Sequence, residues 1–258
     1  MSCTFTPSRC HIRLGALVRN FSRMGRPGSL MPVIKSDAYG HGMTEVAHAL
    51  DAAGARHFAV GTVAEGACLR QDGLAQLILP LLGCLDDEDW QQASACGLTP
   101  LVTGFEALEK AAALGNPADP WGVAIKLDTG MSRLGFGAED IPALLERLRA
   151  CPGLKPILAV SHFPCADMPE KEDFTRRQLE KFTAMTDSLR AAYPELRRSL
   201  ANSAGTMGWE PLRALPPRLL ALWRQPLPGH GLGRTRRGPG TRHGSERPPA
   251  AGAPPQAR

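Results

Sequence analysis

The chain has 258 residues, 43% of them hydrophobic and 21% charged, with a formal net charge of +5. This is the balance of a soluble globular protein with room for one large α/β barrel or two smaller domains. No run approaches the roughly 18 apolar residues of a membrane span, and the N-terminal "MSCTFTPSRCHIRLGALVRNF" interrupts any signal-peptide core with polar and basic residues.

Seven cysteines (Cys3, Cys10, Cys68, Cys84, Cys96, Cys151 and Cys165) are odd in number, scattered and free of CxxC pairs. That pattern fits reduced thiols, a cytoplasmic location and no metal centre. The positive charge is local. Nine arginines and two glutamates fall from Gly208 onward, so residues 1–207 are slightly acidic and give no reason to expect a nucleic-acid partner.

In chain order, near-continuous apolar runs predict strands at 30–36, 57–62, 76–82, 98–103, 121–129, 155–163 and 198–203. Amphipathic patterns between them predict helices over 43–55, 63–73, 86–97, 104–115, 138–151 and 171–193. Repeated βα units imply a parallel sheet, and seven of them predict an incomplete (β/α)8 barrel, with a doubly wound open sheet as the alternative. The barrel is preferred because Lys35, Lys126, His162 and Asn202-Ser203 all fall at or near strand C-terminal ends, the rim where barrels build active sites.

After Met207 the pattern changes. Residues 208–258 contain no Ile, Val, Lys, Asp, Asn, Phe or Tyr and are crowded with Arg, Pro and Gly. This predicts a barrel domain over 1–207 and a disordered tail over 208–258 that supplies no eighth strand.

The stretch "VIKSDAYGHG" ends an apolar run with Lys35. A lone lysine there most simply snorkels to solvent, but one facing a barrel mouth is also placed to form a Schiff base. Tyr39 adds an aromatic, Gly40 and Gly42 allow close backbone approach, and His41 adds a titratable group. Taken singly, "KLDTGMSRLGF" reads as a strand exit with a surface arginine, "SHFPCAD" as a structural histidine, and "LANSAGT" as a polar loop.

Together and in this order, the four stretches resemble the bacterial alanine racemases, fold type III among the pyridoxal-phosphate enzymes. The match covers about residues 11 to 207. It includes an entry segment "HIRLGALVRNF", in which Gly15 stands where the family has an acidic residue. The resemblance implies that Lys35 holds pyridoxal 5'-phosphate and acts as one of two catalytic acid/bases. Tyr39 would bind the cofactor phosphate together with Asn202-Ser203. Arg133 would approach the cofactor ring and the substrate carboxylate, and Lys126 would be the lysine that is often carbamylated. His162 would lie behind the cofactor, in the family bonded to an arginine that faces the pyridine nitrogen. No metal is implied.

The family's second base is a tyrosine from a C-terminal β-domain of the other subunit of a dimer, and its RPGxxLYG segment supplies the arginine facing the pyridine. This chain has only Tyr39 and Tyr193 and lacks that segment. Reading residues 216–223 from the second base of suitably chosen codons recovers Arg-Pro-Gly-Phe-Ser-Leu-Tyr-Gly, so the tail is expected to be out of frame. The expectation is a pyridoxal-phosphate-dependent alanine racemase serving peptidoglycan precursors. As written, the chain should be inactive and poorly stable, with its sheet edges exposed and the homodimer not properly formed. Two other classes stand beside it: a non-catalytic cofactor carrier on the same barrel, and an interaction protein using its basic tail.

Overall fold

All seven apolar runs become strands. The computed structural model describes residues 10–208 and 219–224. It forms β1 (Leu30–Val33), β2 (His57–Val60), β3 (Leu77–Pro80), β4 (Leu101–Val102), β5 (Trp121–Lys126), β6 (Leu154–Val160) and β7 (Arg197–Ser199). Each strand starts near the expected residue or a few residues later, and each stops short of the end of its run, because the last residues of the run turn into rim loops.

The amphipathic stretches become α3 (Met43–Ala52), α4 (Val63–Gln71), α5 (Asp87–Ala95), α6 (Phe105–Leu114), α7 (Ile141–Arg149) and α8 (Glu172–Ala192). Besides two short 3-10 turns, Pro27–Ser29 and Pro169–Lys171, three elements lie outside the expected set among the described residues: α1 (Leu14–Met24), α2 (Lys35–Gly40) and α9 (Ser203–Gly208). In α1, Leu17 and Phe21, four apart, turn inward and are buried.

Every strand pair is parallel, in the order β3-β2-β1-β8-β7-β6-β5-β4, where β8 is Leu219–Arg224. The Thr99 N–H donates to the Ile78 carbonyl at 2.9 Å, joining the approach to β4 onto β3. Alternation then sorts the side chains into two layers. Met31, Val33, Ala59, Leu79, Leu101, Ala124, Leu158 and Val160 pack together as the barrel interior. The other parity (Leu30, Phe58 and Ile78 on one side, Val123, Ile125 and Ala159 on the other) packs outward under the helices with Leu50, Phe182 and Leu189. This is the filled interior of a (β/α)8 barrel.

The expectation of no eighth strand is corrected. β8 pairs with β1 from Leu30↔Ala221 to Val33↔Arg224, and with β7 at Arg198↔Leu219 and Ser199↔Leu220. The run Leu-Leu-Ala-Leu-Trp is locally apolar enough for a strand with a neighbour on each side, although the average composition of its surroundings hides it. The facing edges of β1 and β7 are therefore paired, which removes the argument for instability from exposed edges there. Of the segment expected to be disordered, residues 209–218 and 225–258 lie outside the described residues. Among the described residues no β-domain follows β8, and no helix is long and apolar enough to cross a membrane.

Candidate active site

Parity carries three of the expected residues to one place. Lys35 continues the inward positions Met31 and Val33 beyond β1, Lys126 continues Ala124 at the end of β5, and His162 continues Leu158 and Val160 beyond β6. All three reach the C-terminal mouth of the barrel. Their charges meet there. Burial, followed by Lys126, Arg133 and Lys35, lowers the His162 pKa to about 4. Burial and Arg133 lower that of Lys126 to about 8, against a small opposing pull from Asp128. At neutral pH His162 is an uncharged imidazole, and Lys126 carries an appreciable neutral fraction. Lys126 is only 8% exposed, and among the described residues its Nζ finds just the Leu127 carbonyl at 3.4 Å.

The loop bearing Arg133 is folded back onto β5. The Phe136 N–H donates to the Lys126 carbonyl at 2.9 Å and the Asp128 N–H to the Phe136 carbonyl at 2.8 Å. Within the loop, the Asp128 carboxylate accepts the Gly130 and Ser132 N–H groups at 2.9 and 3.0 Å. Burial pushes its pKa up, but those two bonds, with Lys181 and Lys126, outweigh it and hold the carboxylate low. Arg133 itself is exposed.

Lys35 is followed by one turn of left-handed helix. Ser36, Asp37, Ala38 and Tyr39 have φ of 53, 54, 50 and 57° with ψ between 40 and 54°, near the ideal αL values. None is glycine, so the turn costs about 1–2 kcal/mol per residue and must be held by its surroundings. The Ala38 N–H reaches the Ile34 carbonyl at 2.8 Å and the His41 N–H the Asp37 carbonyl at 2.9 Å. The His41 Nδ1 bonds the Ala38 carbonyl at 2.9 Å, and the Asp37 carboxylate accepts the Met43 N–H at 2.7 Å to cap α3. Tyr39 is half-buried on this turn.

At the β7 exit, the Asn202 side chain works at both ends. Its Nδ2 donates to the Phe163 carbonyl at 2.6 Å, and its Oδ1 accepts the Gly205 N–H at 2.9 Å. It thereby ties the β6 and β7 exits together and fixes Ser203 at the start of α9. Tyr193 caps α8 and packs partly buried on the outer layer, away from the inward-facing positions.

Two groups escaped the sequence reading. The Gln178 Nε2 donates to the His162 carbonyl at 3.1 Å and to the Thr129 Oγ1 at 3.3 Å, with Thr129 and Ser161 sharing a bond of 2.9 Å. Nothing in a single helix pattern marks such a glutamine. Glu65 accepts the Ser36 N–H at 2.7 Å and the Gly61 N–H at 2.6 Å. Its capping box with Thr62 was visible as a Thr-x-x-Glu spacing. The described cysteines are free, and among the described residues no cluster of three or more His, Cys, Asp or Glu could hold a metal.

The chain resembles known proteins over most of its length. Residues 12–216 match the model of the alanine racemase N-terminal domain. The alanine racemase of Nitratidesulfovibrio vulgaris strain Hildenborough is 43% identical over 243 residues, spanning 91% of this chain, and the chain spans 63% of that relative's length. The crystal structure of alanine racemase from Corynebacterium glutamicum superposes with a TM-score of 0.71 at 26% identity, over 82% of this chain and 60% of that one. The biosynthetic alanine racemase from Pseudomonas aeruginosa superposes at 0.67 with 34% identity, over 81% and 56%. By its barrel and these matches, the chain belongs to the alanine racemase N-terminal domain family.

Proposed function

We propose that this chain is the cofactor-bearing barrel of a pyridoxal-phosphate-dependent alanine racemase that interconverts L- and D-alanine for peptidoglycan precursors in the cytoplasm. The observation that carries the reading is the convergence of Lys35, Lys126 and His162 on one barrel mouth, with Arg133 close enough to shift the protonation of Lys126 and His162. The donor set suits a cofactor bearing an aldehyde and a phosphate. Lys35 is an amine with no hydrogen bond or ion pair among the described residues, and its cationic neighbours favour an anion.

Bound pyridoxal phosphate supplies an electron sink that acidifies the substrate Cα–H. In this reading Lys35 attaches the cofactor and moves the Cα proton at its Nζ on one face. Arg133 binds the substrate carboxylate. Tyr39 and Ser203 take the phosphate, with Asn202 holding Ser203 in place. His162, uncharged, packs beneath. Lys126, neutral in part, would add its amine to carbon dioxide and release one proton to solvent, and the resulting carbamate would turn a positive neighbour of Arg133 into a negative one.

Inversion needs a second acid/base on the opposite face. Tyr193 sits on the outer layer, where burial raises its pKa, and Tyr39 is assigned to phosphate. The resemblance implies that the second group is a tyrosine brought by the other subunit of a dimer, and neither Tyr39 nor Tyr193 takes that place. The 258-residue chain by itself should attach the cofactor without racemising. The test is to incubate the purified chain with pyridoxal phosphate and alanine in deuterium oxide. Deuterium entering Cα of one enantiomer, without inversion, is the expected result. Robust racemisation would overturn the inactivity, and absence of both exchange and cofactor uptake would overturn the assignment.

A further inference from the structure

We propose that Glu65 is the positioning residue for Lys35, its carboxylate locking the peptide that follows the lysine and so the direction of the lysine side chain. The proposal rests on the reading of Lys35 as the cofactor-bearing residue. In an ordinary capping box the third residue of the helix reaches back to the N–H of the cap. Here that bond, from the Thr62 N–H, is the longest at 3.4 Å, whereas the Gly61 and Ser36 N–H groups lie at 2.6 and 2.7 Å. The carboxylate is drawn past its own helix, one oxygen on the β2 exit and the other on the β1 exit, 29 residues away in sequence.

Ser36 is the first residue of the left-handed turn, and its N–H belongs to the peptide that sets ψ of Lys35. Holding that N–H holds the inward aim of the Lys35 Cα–Cβ bond and the entry into a backbone that four non-glycine residues adopt only under constraint. Gly61 leaves the necessary room. A Cβ there would stand 3.1 Å from the Glu65 Oε2 and 3.4 Å from the Lys35 Cβ, so carboxylate and lysine stem converge over the place a side chain would fill.

The test compares the full chain with Glu65→Gln and Thr62→Val. Glu65→Gln is nearly isosteric and keeps one acceptor but sets an amide NH2 against a backbone N–H. Thr62→Val removes the hydroxyl that accepts the Glu65 N–H at 3.2 Å, loosening the start of α4 while leaving the carboxylate in place. Amide exchange at Ser36 and the rate of Lys35 acetylation by acetic anhydride are followed by peptide mass. In Glu65→Gln, Ser36 exchange should rise about tenfold and Lys35 acetylation several-fold, with both close to the parent rate in Thr62→Val. Unchanged Ser36 exchange in Glu65→Gln overturns the proposal. So does an equal rise in Lys35 reactivity in both variants, which would make Glu65 a helix cap and nothing more. If the parent chain takes up no pyridoxal phosphate at Lys35, the racemase reading falls while these two rates still decide the role of Glu65.

Discussion

Gly135 lies so tightly against Lys126 that a Cβ on it would stand 2.8 Å from the Lys126 carbonyl oxygen and 2.9 Å from the Lys126 Cγ. Its φ of 118° is likewise one that only glycine adopts freely. The Arg133 loop can return onto β5 only through this residue. Gly135→Ala should therefore cost about 1–3 kcal/mol, measured by urea unfolding, and should release Arg133 from its place over Lys126.

Two histidines, His57 buried and His162 half-buried, set an acid limit. Burial and then Arg197 hold the His57 pKa at about 4, against an ordinary 6.5. Its Nε2 accepts from the Arg197 guanidinium, so its proton sits on Nδ1, which has no partner among the described residues. His162 is held at about 4 as well. A folded pKa below the unfolded one means the unfolded chain binds more protons between pH 6.5 and 4. Stability is then fully present above about 6.5 and falls as pH drops toward 4, by at most roughly 3 kcal/mol per histidine. Urea midpoints at pH 7 and pH 5 should show the loss, and His57→Gln should remove the His57 share of it while the His162 share remains.

Lys126, with its pKa lowered to about 8, is the lysine most open to carbon dioxide at mild pH. Carbon-13 NMR in labelled bicarbonate should give a carbamate signal that strengthens as pH rises through 8. The signal should vanish in Lys126→Met and persist in Lys155→Met, because Lys155 is exposed on β6.

Phe182 of α8 is fully buried against the outward faces of β5 and β6. Phe182→Ala should lose about 3–5 kcal/mol. Leu220→Pro in β8 should lose about 1–3 kcal/mol by removing a ladder N–H between two neighbouring strands. If both lower the urea midpoint, β8 belongs to the folded barrel; a Leu220→Pro chain as stable as the parent would leave the barrel independent of it.

The near-continuous apolar runs were the most legible signal, and the fold adds the parity within them. The same parity that places Val33, Ala124 and Val160 in the interior delivers Lys35, Lys126 and His162 to its mouth. The left-handed turn was invisible, because Ser36 to Tyr39 contain no glycine and the cause of their geometry lies partly in Glu65, across a βα unit. The bond from Gln178 to the His162 carbonyl was hidden for the same reason: helix periodicity says which face is buried, not which polar atom on it finds a partner. β8 was missed because a composition argument over some fifty residues averages away five apolar ones. The roles of Tyr39, Arg133 and Ser203 rest on resemblance.

The central claim is that Lys35 is the residue to which the cofactor attaches. The most direct measurement is to mix the 258-residue chain with pyridoxal phosphate, reduce with borohydride, digest, and locate the pyridoxyl group by mass. The label should fall on Lys35, at a stoichiometry approaching one, and be lost in Lys35→Ala. A label on Lys126, or one spread over exposed lysines and unaffected by that substitution, would contradict it.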